Sequence, residues 1–481
     1  MRHFKLLVFS LLVTGLSYAQ VGIGTESPDA SSLLDLSSTS QGLLAPRMTT
    51  LERTAIASPA ESLMVFDTDE AAFFYYNTAS TSWIELANNT SVKRDNYKLI
   101  KSEADLAPEL AAGGSSYLLD TNTLYEINGT IVLTNPINLN NAYISGQDVG
   151  EDILTSSGVI FEGNTGGSIR NLTLKGAKAF NITGPGIASS SSLIVQNLIV
   201  DGMTTSVGSI SGIGLYFGNI NQYINNADGI TFSNIGNLLL NTQGWLSSNE
   251  GTFETFTGNF GFIEKASGFS TVNGSDVALD VSDPSLNVGE AVLTGTVFSG
   301  TTSNASGYIN GYSTGSYDGY YFSADWTVDS PGIPLESDAV ATGDINLDKA
   351  VGSGELTTFS GTSTASRIKV AGTTTSNNLL RFTRDGDNKI IYKGHKTRYF
   401  QVASSVSYQS SSNFILILYI AKNGVVIPET KVYGYYTGSG ILALPVIGTV
   451  ELEQDDYIEI YAERYSGSGN MLTVSFNLTA R

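Results

Sequence analysis

The chain has 481 residues, two histidines and no cysteine, and its 45 Asp and Glu residues outnumber its 25 Lys and Arg residues. This length predicts about two to four domains, and the acidic balance argues against a DNA or RNA partner, because phosphate binding needs a basic surface. The missing cysteines exclude disulfides, thiol nucleophiles and cysteine-based zinc sites, and the scarcity of histidine disfavours Ser-His-Asp triads and multi-histidine metal sites.

Residues 1–19 have the layout of a secretory signal peptide. Two basic residues precede an apolar run over 6–16, and the small residues Ser17 and Ala19 predict cleavage after Ala19. Residue 20 is Gln rather than Cys, which excludes a bacterial lipid anchor at the cleavage site, and no later apolar segment is long enough to span a membrane. We expect an exported, soluble mature chain with 23 basic and 45 acidic residues and a formal charge of −22.

Residues 20–90 are predicted to form a small N-terminal head. Thr49 and Glu52 have the spacing of a helix capping box, and the apolar stretches 62–66 and 73–77 flank a polar turn typical of a hairpin. The short motifs of this segment are Val21 to Thr25, Pro28 to Ala30, Leu34-Asp35, Ser38-Thr39, Gly42, Pro46 to Thr49, Arg53, Ala55-Ile56, Pro59-Ala60 and Thr68-Asp69.

These motifs resemble the N-terminal module of exported fibre-like surface proteins of the Bacteroidota. Gln41 and Ser62 depart from the module, which usually has Lys and Gly at those positions. The resemblance implies an exported surface or fibre protein that is attached to a Gram-negative cell, and it implies no particular chemistry.

A polar linker is expected at 91–116, followed by a β-solenoid shaft at 117–290. Short apolar strands recur there between Gly and Asn turns, and the sequences 171–176 and 197–202 nearly repeat at a spacing of 26 residues. A period of this length predicts a parallel β-helix, in which stacked coils bury a continuous core. An antiparallel sandwich is the alternative. This alternation of short apolar strands with Gly and Asn turns resembles the sequences of tailspike-like and pectate-lyase-like solenoids.

Residues 291–375, rich in Gly, Ser and Thr, are expected to form a neck, and residues 376–481 an antiparallel jelly roll. Three features resemble the C1q/TNF-like jelly rolls of fibre tips: Tyr399-Phe400 on a first strand, Lys422-Asn423-Gly424 in a hairpin, and the sequence 452–460 near the end. Asp455 stands where that family usually has Gly. The resemblance implies a homotrimer. The predicted fold class is therefore all-β: head, parallel β-helix and jelly roll.

Exposed tyrosines are the preferred candidates for ligand binding, because sugars stack on aromatic faces. One group of candidates lies in the expected neck and comprises Tyr308, Tyr312, Tyr317, Tyr320 and Tyr321. The alternative role for this group is to fill a thin, Gly-rich core. A second group lies in an expected tip loop of the jelly roll and comprises Tyr433, Tyr435 and Tyr436.

A basic cluster stands out in this acidic chain and includes the only histidine of the mature protein, His395. Its members are Arg367, Lys369, Arg381, Arg384, Lys389, Lys393, Lys396 and Arg398. They could bind an acidic glycan or a lipopolysaccharide phosphate. The alternative is that they pair with carboxylates of a neighbouring subunit at the neck, and for His395 we expect packing or interface contacts.

Two further patterns concern metal binding and catalysis. Asp344, Asn346, Asp348 and Glu355 have the ligand spacing of a calcium loop, although Lys349 replaces the usual turn glycine; a solvated polar turn is the alternative. No other cofactor is expected. The pair Asp201 and Asp228 could line a solenoid face as the two acids of a glycosidase, with solvated corner positions as the alternative.

These features predict a secreted, fibre-like, trimeric protein that adheres to a carbohydrate or another cell-surface component. We do not expect an enzyme, a transmembrane segment or a nucleic-acid partner. Two alternatives remain open. One is a polysaccharide depolymerase that acts on the solenoid, and the other is a structural appendage subunit without a ligand.

Overall fold

The computed structural model describes residues 20–86 and 96–481. The predicted signal peptide and residues 87–95 lie outside the described residues. The described residues divide into two compact units, 20–86 and 96–481. Strands dominate both units, which confirms the all-β fold class. Within the described ranges, no helix is long and apolar enough to cross a membrane.

The first unit contains a four-stranded sheet and a separate pair of short strands. Over residues 20–86 the strands are β1 (Val21–Ile23), β2 (Leu34–Leu36), β3 (Arg47–Met48), β4 (Met64–Asp67), β5 (Ala72–Asn77) and β6 (Ser82–Glu85). Strands β1 and β2 pair in parallel, and β3 to β6 form the sheet in chain order. The predicted capping box between Thr49 and Glu52 begins a helix at Thr50–Thr54, and β4 and β5 form the predicted hairpin.

Many apolar side chains of this unit are exposed in the single chain. The sheet buries Val65 and Phe74, and Arg53 lies over the Phe74 ring with its Nε 2.7 Å from an Asp67 oxygen. The segment around β1 and β2 has no comparable core. Its exposed apolar residues are Val21, Ile23, Leu33, Leu34, Leu36, Leu43 and Leu44. Such a surface is typical of a segment that is covered by another chain.

The second unit opens with a parallel β-helix of about eight turns. Across the described residues 97–329 its strands are β7 (Tyr97–Ile100), β8 (Tyr117–Leu118), β9 (Leu124–Ile127), β10 (Thr130–Leu133), β11 (Ile137–Asn138), β12 (Tyr143–Ser145), β13 (Ile153–Gly163), β14 (Gly167–Thr183), β15 (Ser192–Asp201), β16 (Ser206–Ser211), β17 (Leu215–Ile224), β18 (Ile230–Trp245), β19 (Thr252–Thr271), β20 (Val277–Asp280), β21 (Asn287–Thr294), β22 (Val297–Ser299), β23 (Ile309–Asn310) and β24 (Trp326–Asp329). A 3₁₀ turn at Glu103–Leu106 and a helix at Ala107–Gly113 place Leu106 in the core beside the first coil.

Equivalent residues of neighbouring coils stack with the predicted repeat. Leu172 pairs with Leu198 in parallel strands, and Asn197 Nδ2 donates to Asn171 Oδ1 at 2.9 Å across 26 residues. Both asparagines have a φ of 52°, in the left-handed region that Asn tolerates better than most side chains. The two asparagines therefore turn the chain at equivalent corners of two neighbouring coils. The parallel pairing confirms the β-helix and excludes the antiparallel sandwich for this segment.

A buried ion pair lies inside the β-helix. Lys265 Nζ is 3.0 Å from Glu254 Oε1, and each side chain is 1% exposed. Glu254 Oε2 accepts no hydrogen bond from any residue that the structure describes. Burial raises the pKa of Glu254, and the neighbouring Lys265 ammonium opposes that rise. The ammonium also lies 5.1 Å from the centre of the Phe253 ring, so the pair is enclosed by aromatic core.

The C-terminal part of the second unit is a two-sheet antiparallel sandwich. In residues 343–480 the strands are β25 (Gly343–Asp348), β26 (Glu355–Thr357), β27 (Ile368–Lys369), β28 (Phe382–Arg384), β29 (Ile390–Tyr392), β30 (Arg398–Gln409), β31 (Phe414–Lys422), β32 (Val425–Val426), β33 (Val432–Tyr436), β34 (Leu442–Leu452), β35 (Tyr457–Gly467) and β36 (Met471–Ala480), with 3₁₀ turns at Asp338–Val340, Ser363–Ser366 and Pro428–Thr430. One sheet has the order β25-β36-β30-β34, and the other has β28-β29-β35-β31-β32. Asn423 and Gly424 form the predicted tight turn with positive φ.

The domain boundaries differ from those expected. The described part of the expected linker forms β7 and the helix at Ala107–Gly113, so the β-helix begins about one coil earlier. The expected neck is divided: β21 to β24 complete the β-helix, and β25 to β27 belong to the jelly-roll sheets. The Gly/Ser/Thr-rich composition concealed short strands, because only isolated residues such as Phe298, Ile309 and Trp326 point into the core.

Replacing Lys265 by Met should lower the free energy of unfolding by about 3–5 kcal/mol, because Glu254 would then be buried without its partner. The double variant Lys265→Met/Glu254→Leu should recover most of that loss, since an apolar pair of similar size has no charge to desolvate. Chemical denaturation monitored by circular dichroism measures both variants. A double variant that is no more stable than the single one would contradict this account of the pair.

Candidate functional site

The last loop of the β-helix is held in shape by a buried carboxylate. Glu336 is 1% exposed and accepts hydrogen bonds from the backbone N–H groups of Tyr321, at 2.8 Å, and Phe322, at 3.0 Å. Burial raises the pKa of Glu336, and these two hydrogen bonds oppose the rise. The loop is closed at its base by Tyr312 N–H, which donates to Tyr321 O at 2.8 Å. Residues 312–321 therefore project as a defined loop.

A buried arginine joins the jelly roll to this end of the β-helix. Arg381, just before β28, is 1% exposed and donates to the carbonyl oxygens of Ser323, at 3.0 Å, and Trp326. Its Nε lies 3.4 Å from Asp338 Oδ1. Charge-assisted bonds of this kind are among the strongest in proteins. They fix residues 376–386 beside the loop 312–321.

A groove lies between these two segments, and we call it the junction groove. It consists of two adjoining cavities of about 540 and 520 Å³ that share Asp318, Asn377 and Leu379 as lining residues. The first is also lined by Tyr317, Arg384 and Asp385, and the second by Tyr320, Asn378, Asp344 and Arg481. Each cavity has a size typical of small-ligand sites.

The chemistry of the junction groove suits a neutral, hydroxyl-rich ligand. The Tyr317 and Tyr320 rings offer apolar faces, while the Asn377 and Asn378 amides and the Asp318 carboxylate offer donors and acceptors. Burial raises the pKa of Tyr317, whose phenol is neutral at physiological pH even without that shift. Arginines and aspartates both line the groove, so neither sign of ligand charge is favoured.

The other candidate tyrosines serve different purposes. Tyr312 packs against the β-helix core and its hydroxyl accepts from Trp326 Nε1 at 2.9 Å; burial raises its pKa to about 12. Tyr308 and Tyr321 also pack against that core, as in the core-filling alternative. In the jelly roll, Tyr436 is buried, whereas Tyr433 and Tyr435 are 52% and 61% exposed on the outer face of β33. The structure thus brings only Tyr317 and Tyr320 into the junction groove.

Most of the basic cluster is paired within its own chain. Arg367 Nε is 2.7 Å from Glu463, Lys369 Nζ 2.7 Å from Asp387, Lys389 Nζ 3.2 Å from Asp385, and Lys393 Nζ 2.5 Å from Asp455. Arg384 donates to Thr374 O at 2.9 Å, and Arg398 donates to Asp338 O. The Lys396 backbone N–H also donates to Asp338. The sequence reading overlooked these local carboxylates, and only Arg384 lines the junction groove.

The segment expected to form a calcium loop is a β-strand. Asp344, Asn346 and Asp348 lie on β25, which spaces alternate side chains along the strand rather than around a point. Asn346 Nδ2 donates to Asp344 Oδ2 at 2.8 Å, and Glu355 pairs with Lys349 at 3.2 Å. Over the part of the chain that the structure describes, no three His, Cys, Asp or Glu side chains are grouped so that they could hold a metal ion. Asp344, Asn346 and Asp348 therefore form a strand rather than the loop that the spacing predicted.

The remaining titratable candidates are used in local contacts. Asp201 pairs with Lys175 at 2.9 Å, and Asp228 Oδ1 accepts from the backbone N–H groups of Gly229 and Thr252 at 2.9 Å each. Contacts of this kind are typical of polar residues at coil corners, which was the alternative role considered for Asp201 and Asp228. His395 Nε2 lies 3.4 Å from Asp325 Oδ1, and the two side chains are 48% and 42% exposed; the packing or interface role expected for His395 stays a prediction.

The sequence analysis missed part of the junction groove. Asp318, Asn377, Asn378 and Arg481 line it without belonging to any motif. Asn377 and Asn378 stand between two strands and read as an ordinary polar turn. The one available signal was the density of Tyr and Gly in 308–321, which did identify the loop.

Comparison with known proteins gives one family match. Residues 22–97 match the family model of the phage tail like trimerisation region. The match covers less than half of the chain, and it supports a phage-tail-fibre-like character and a homotrimer. The Bacteroidota resemblance of the same segment stays a prediction. None of the curated proteins compared with the sequence matches it.

Several solved structures are similar to parts of the chain. Murine APRIL has 10% identity and a TM-score of 0.22, and the alignment covers 29% of this chain and 98% of APRIL. The Eiger TNF of S. frugiperda has 10% identity and a TM-score of 0.20, covering 29% and 92%. The enzymatically active domain of tailspike protein 4 of bacteriophage CBA120 has 10% identity and a TM-score of 0.20, covering 90% and 77%.

Replacing Arg381 by Ala should lower the free energy of unfolding by about 3 kcal/mol, because it removes the donor to the carbonyl oxygens of Ser323 and Trp326 and the buried cation beside Asp338. The matched control is Arg384→Ala, which removes an exposed arginine three residues away and should cost less than about 1 kcal/mol. Urea denaturation compares the two. Equal losses would contradict the anchoring role of Arg381.

Proposed function

We propose that this protein is an exported, trimeric, fibre-like attachment protein that binds neutral carbohydrate of a cell surface in the junction groove. The observation that carries the proposal is the groove itself, where two tyrosine rings and several amide and carboxylate groups converge between two rigidly joined parts of the chain. Grooves that combine aromatic faces with a few fixed polar groups are typical of small-ligand sites.

Two regions of the chain support the trimer. The match of residues 22–97 to a trimerisation region coincides with the exposed apolar side chains around β1 and β2, which another copy would cover. In the jelly roll, the outer face of the sheet containing β30 and β34 carries Ala403, Ser405 and Ser407 opposite Ile447, Pro445 and Ala443. This face is uncharged at those positions and Ile447 is 60% exposed, as a subunit contact requires.

Trimerisation would make weak sites useful. A single open groove that contacts one or two sugar rings binds weakly, because its few contacts must offset the translational and rotational freedom that the ligand loses. Three grooves on one fibre bind the same surface together, and the effective concentration of the second and third sites raises the overall affinity. This arrangement favours attachment over turnover. That the chain is not an enzyme, and that its head is attached to a Gram-negative cell, stay predictions.

The double variant Tyr317→Ala/Tyr320→Ala should weaken binding of neutral oligosaccharides by at least about tenfold, because both stacking faces are lost. The matched control is Tyr433→Ala/Tyr435→Ala, which removes two exposed tyrosines of the outer jelly-roll sheet and should leave binding unchanged. An array of neutral and acidic oligosaccharides identifies the ligand, and calorimetry with the tightest one compares the variants.

Three results would contradict the proposal. Failure of the wild-type trimer to bind any oligosaccharide would exclude carbohydrate as its target. Loss of binding in the Tyr433/Tyr435 control alone would move the site to the outer sheet. Preference for acidic oligosaccharides would contradict the neutral ligand inferred from the mixed charges of the groove.

A further inference from the structure

One outward wall of the β-helix is apolar although it faces away from the core. Ile194, Phe217 and Leu239 occupy equivalent outward positions on β15, β17 and β18, and they stack in register. Leu215 lies beside them on β17. Each of the four is partly exposed, while the neighbouring Tyr216 and Leu238 point inward and are fully buried. We call Ile194, Leu215, Phe217 and Leu239 the apolar wall.

A second wall of the same coils has the opposite character. Ser209, Thr231 and Thr255 stack in register on β16, β18 and β19, and Ser211, Ser233 and Thr257 form a parallel column. These hydroxyl side chains are also partly exposed. We call them the hydroxyl wall. Because both walls surround one core, the core cannot explain why one carries Phe and Leu and the other Ser and Thr. The two walls must therefore face different surroundings.

The apolar wall also lacks charge in a strongly acidic chain. The outward positions on this wall of the three coils are Ser192, Ile194, Gln196, Leu215, Phe217, Asn219, Asn237, Leu239 and Asn241. The uncharged stretch ends at Arg170, which pairs in register with Gln196, and at Glu264, which pairs with Leu239. Identical chains with a formal charge of −20 repel each other. They can approach most closely where each presents no carboxylate.

The position of the β-helix in the sequence indicates what would cover the apolar wall. The match to a trimerisation region ends at residue 97, and Tyr97 begins β7, the first strand of the β-helix. Chains that associate through residues 22–97 therefore bring the first strands of their β-helices into the same assembly.

We propose that the apolar wall is the surface by which the β-helix of each chain packs against the other copies in the trimer, and that the hydroxyl wall faces water. The proposal rests on the trimeric assembly proposed above and adds which surface of the β-helix is enclosed. Partly exposed Phe, Leu and Ile side chains contribute to such a contact by leaving water, and the flanking amides of Gln196, Asn219 and Asn241 supply a polar rim.

The natural absence of cysteine allows a direct test with the full mature protein. Phe217→Cys and Leu239→Cys each place one thiol on the apolar wall, and Thr231→Cys places one on the hydroxyl wall. Positions 217, 239 and 231 are all partly exposed in the single chain. Labelling with a maleimide reagent should be at least about tenfold slower at positions 217 and 239 than at 231, because an interface core excludes reagent and water. Circular dichroism verifies that each variant is folded.

Light scattering on the same samples separates the two proposals. Equal labelling rates in a protein with the mass of a trimer would overturn the enclosed wall and leave the trimer intact. Slower labelling at position 231 than at 217 and 239 would place the hydroxyl wall inside and also overturn the inference. A protein with the mass of one chain would overturn the trimer and the enclosed wall together.

Discussion

The structure depends on one constraint: a single coil of the β-helix has no core of its own. Each coil is covered on both sides by its neighbours, so large inward side chains such as Trp245 and Phe253, stacked at 4.6 Å, are buried only by the stack. The two ends of the stack therefore need covers. Leu106 and its helix pack against the core near the first coil, and the jelly roll is anchored by Arg381 to carbonyl oxygens near the last one. The junction groove forms because a whole domain, the jelly roll, covers the second end of the stack.

The same constraint explains where many carboxylates of this acidic chain lie. Coils must turn repeatedly, and each turn exposes backbone N–H groups that the parallel ladder does not use. Asp152 accepts from Gly129, Asp228 from Thr252, and Asp276 from Gly251, and each of these hydrogen bonds joins one turn to another. The acidity thus has a structural use at the corners in addition to its effect on solubility. It also restricts where identical chains can approach each other.

The sequence predicted elements whose signal is local or periodic. The capping box of Thr49 and Glu52, the Asn423-Gly424 turn and the 26-residue spacing of Asn171 and Asn197 were readable because each depends on few neighbouring residues. The limits of the β-helix were not readable, since β22 and β23 are short and lie in Gly/Ser/Thr-rich sequence. The calcium-loop pattern at 344–355 did not predict the local structure, because the spacing of Asp, Asn and Glu residues alone does not distinguish a loop from a strand such as β25. Of the groove, Tyr317 and Tyr320 were predicted, but Asn377 joins them only through tertiary packing.

Assembly is the claim on which the function rests, because the grooves act together only if three chains share one fibre. The most direct measurement is the absolute mass of the mature protein in solution by multi-angle light scattering at micromolar concentration. The account predicts three times the mass of one mature chain, unchanged on dilution within that range. A mass equal to one chain would contradict it.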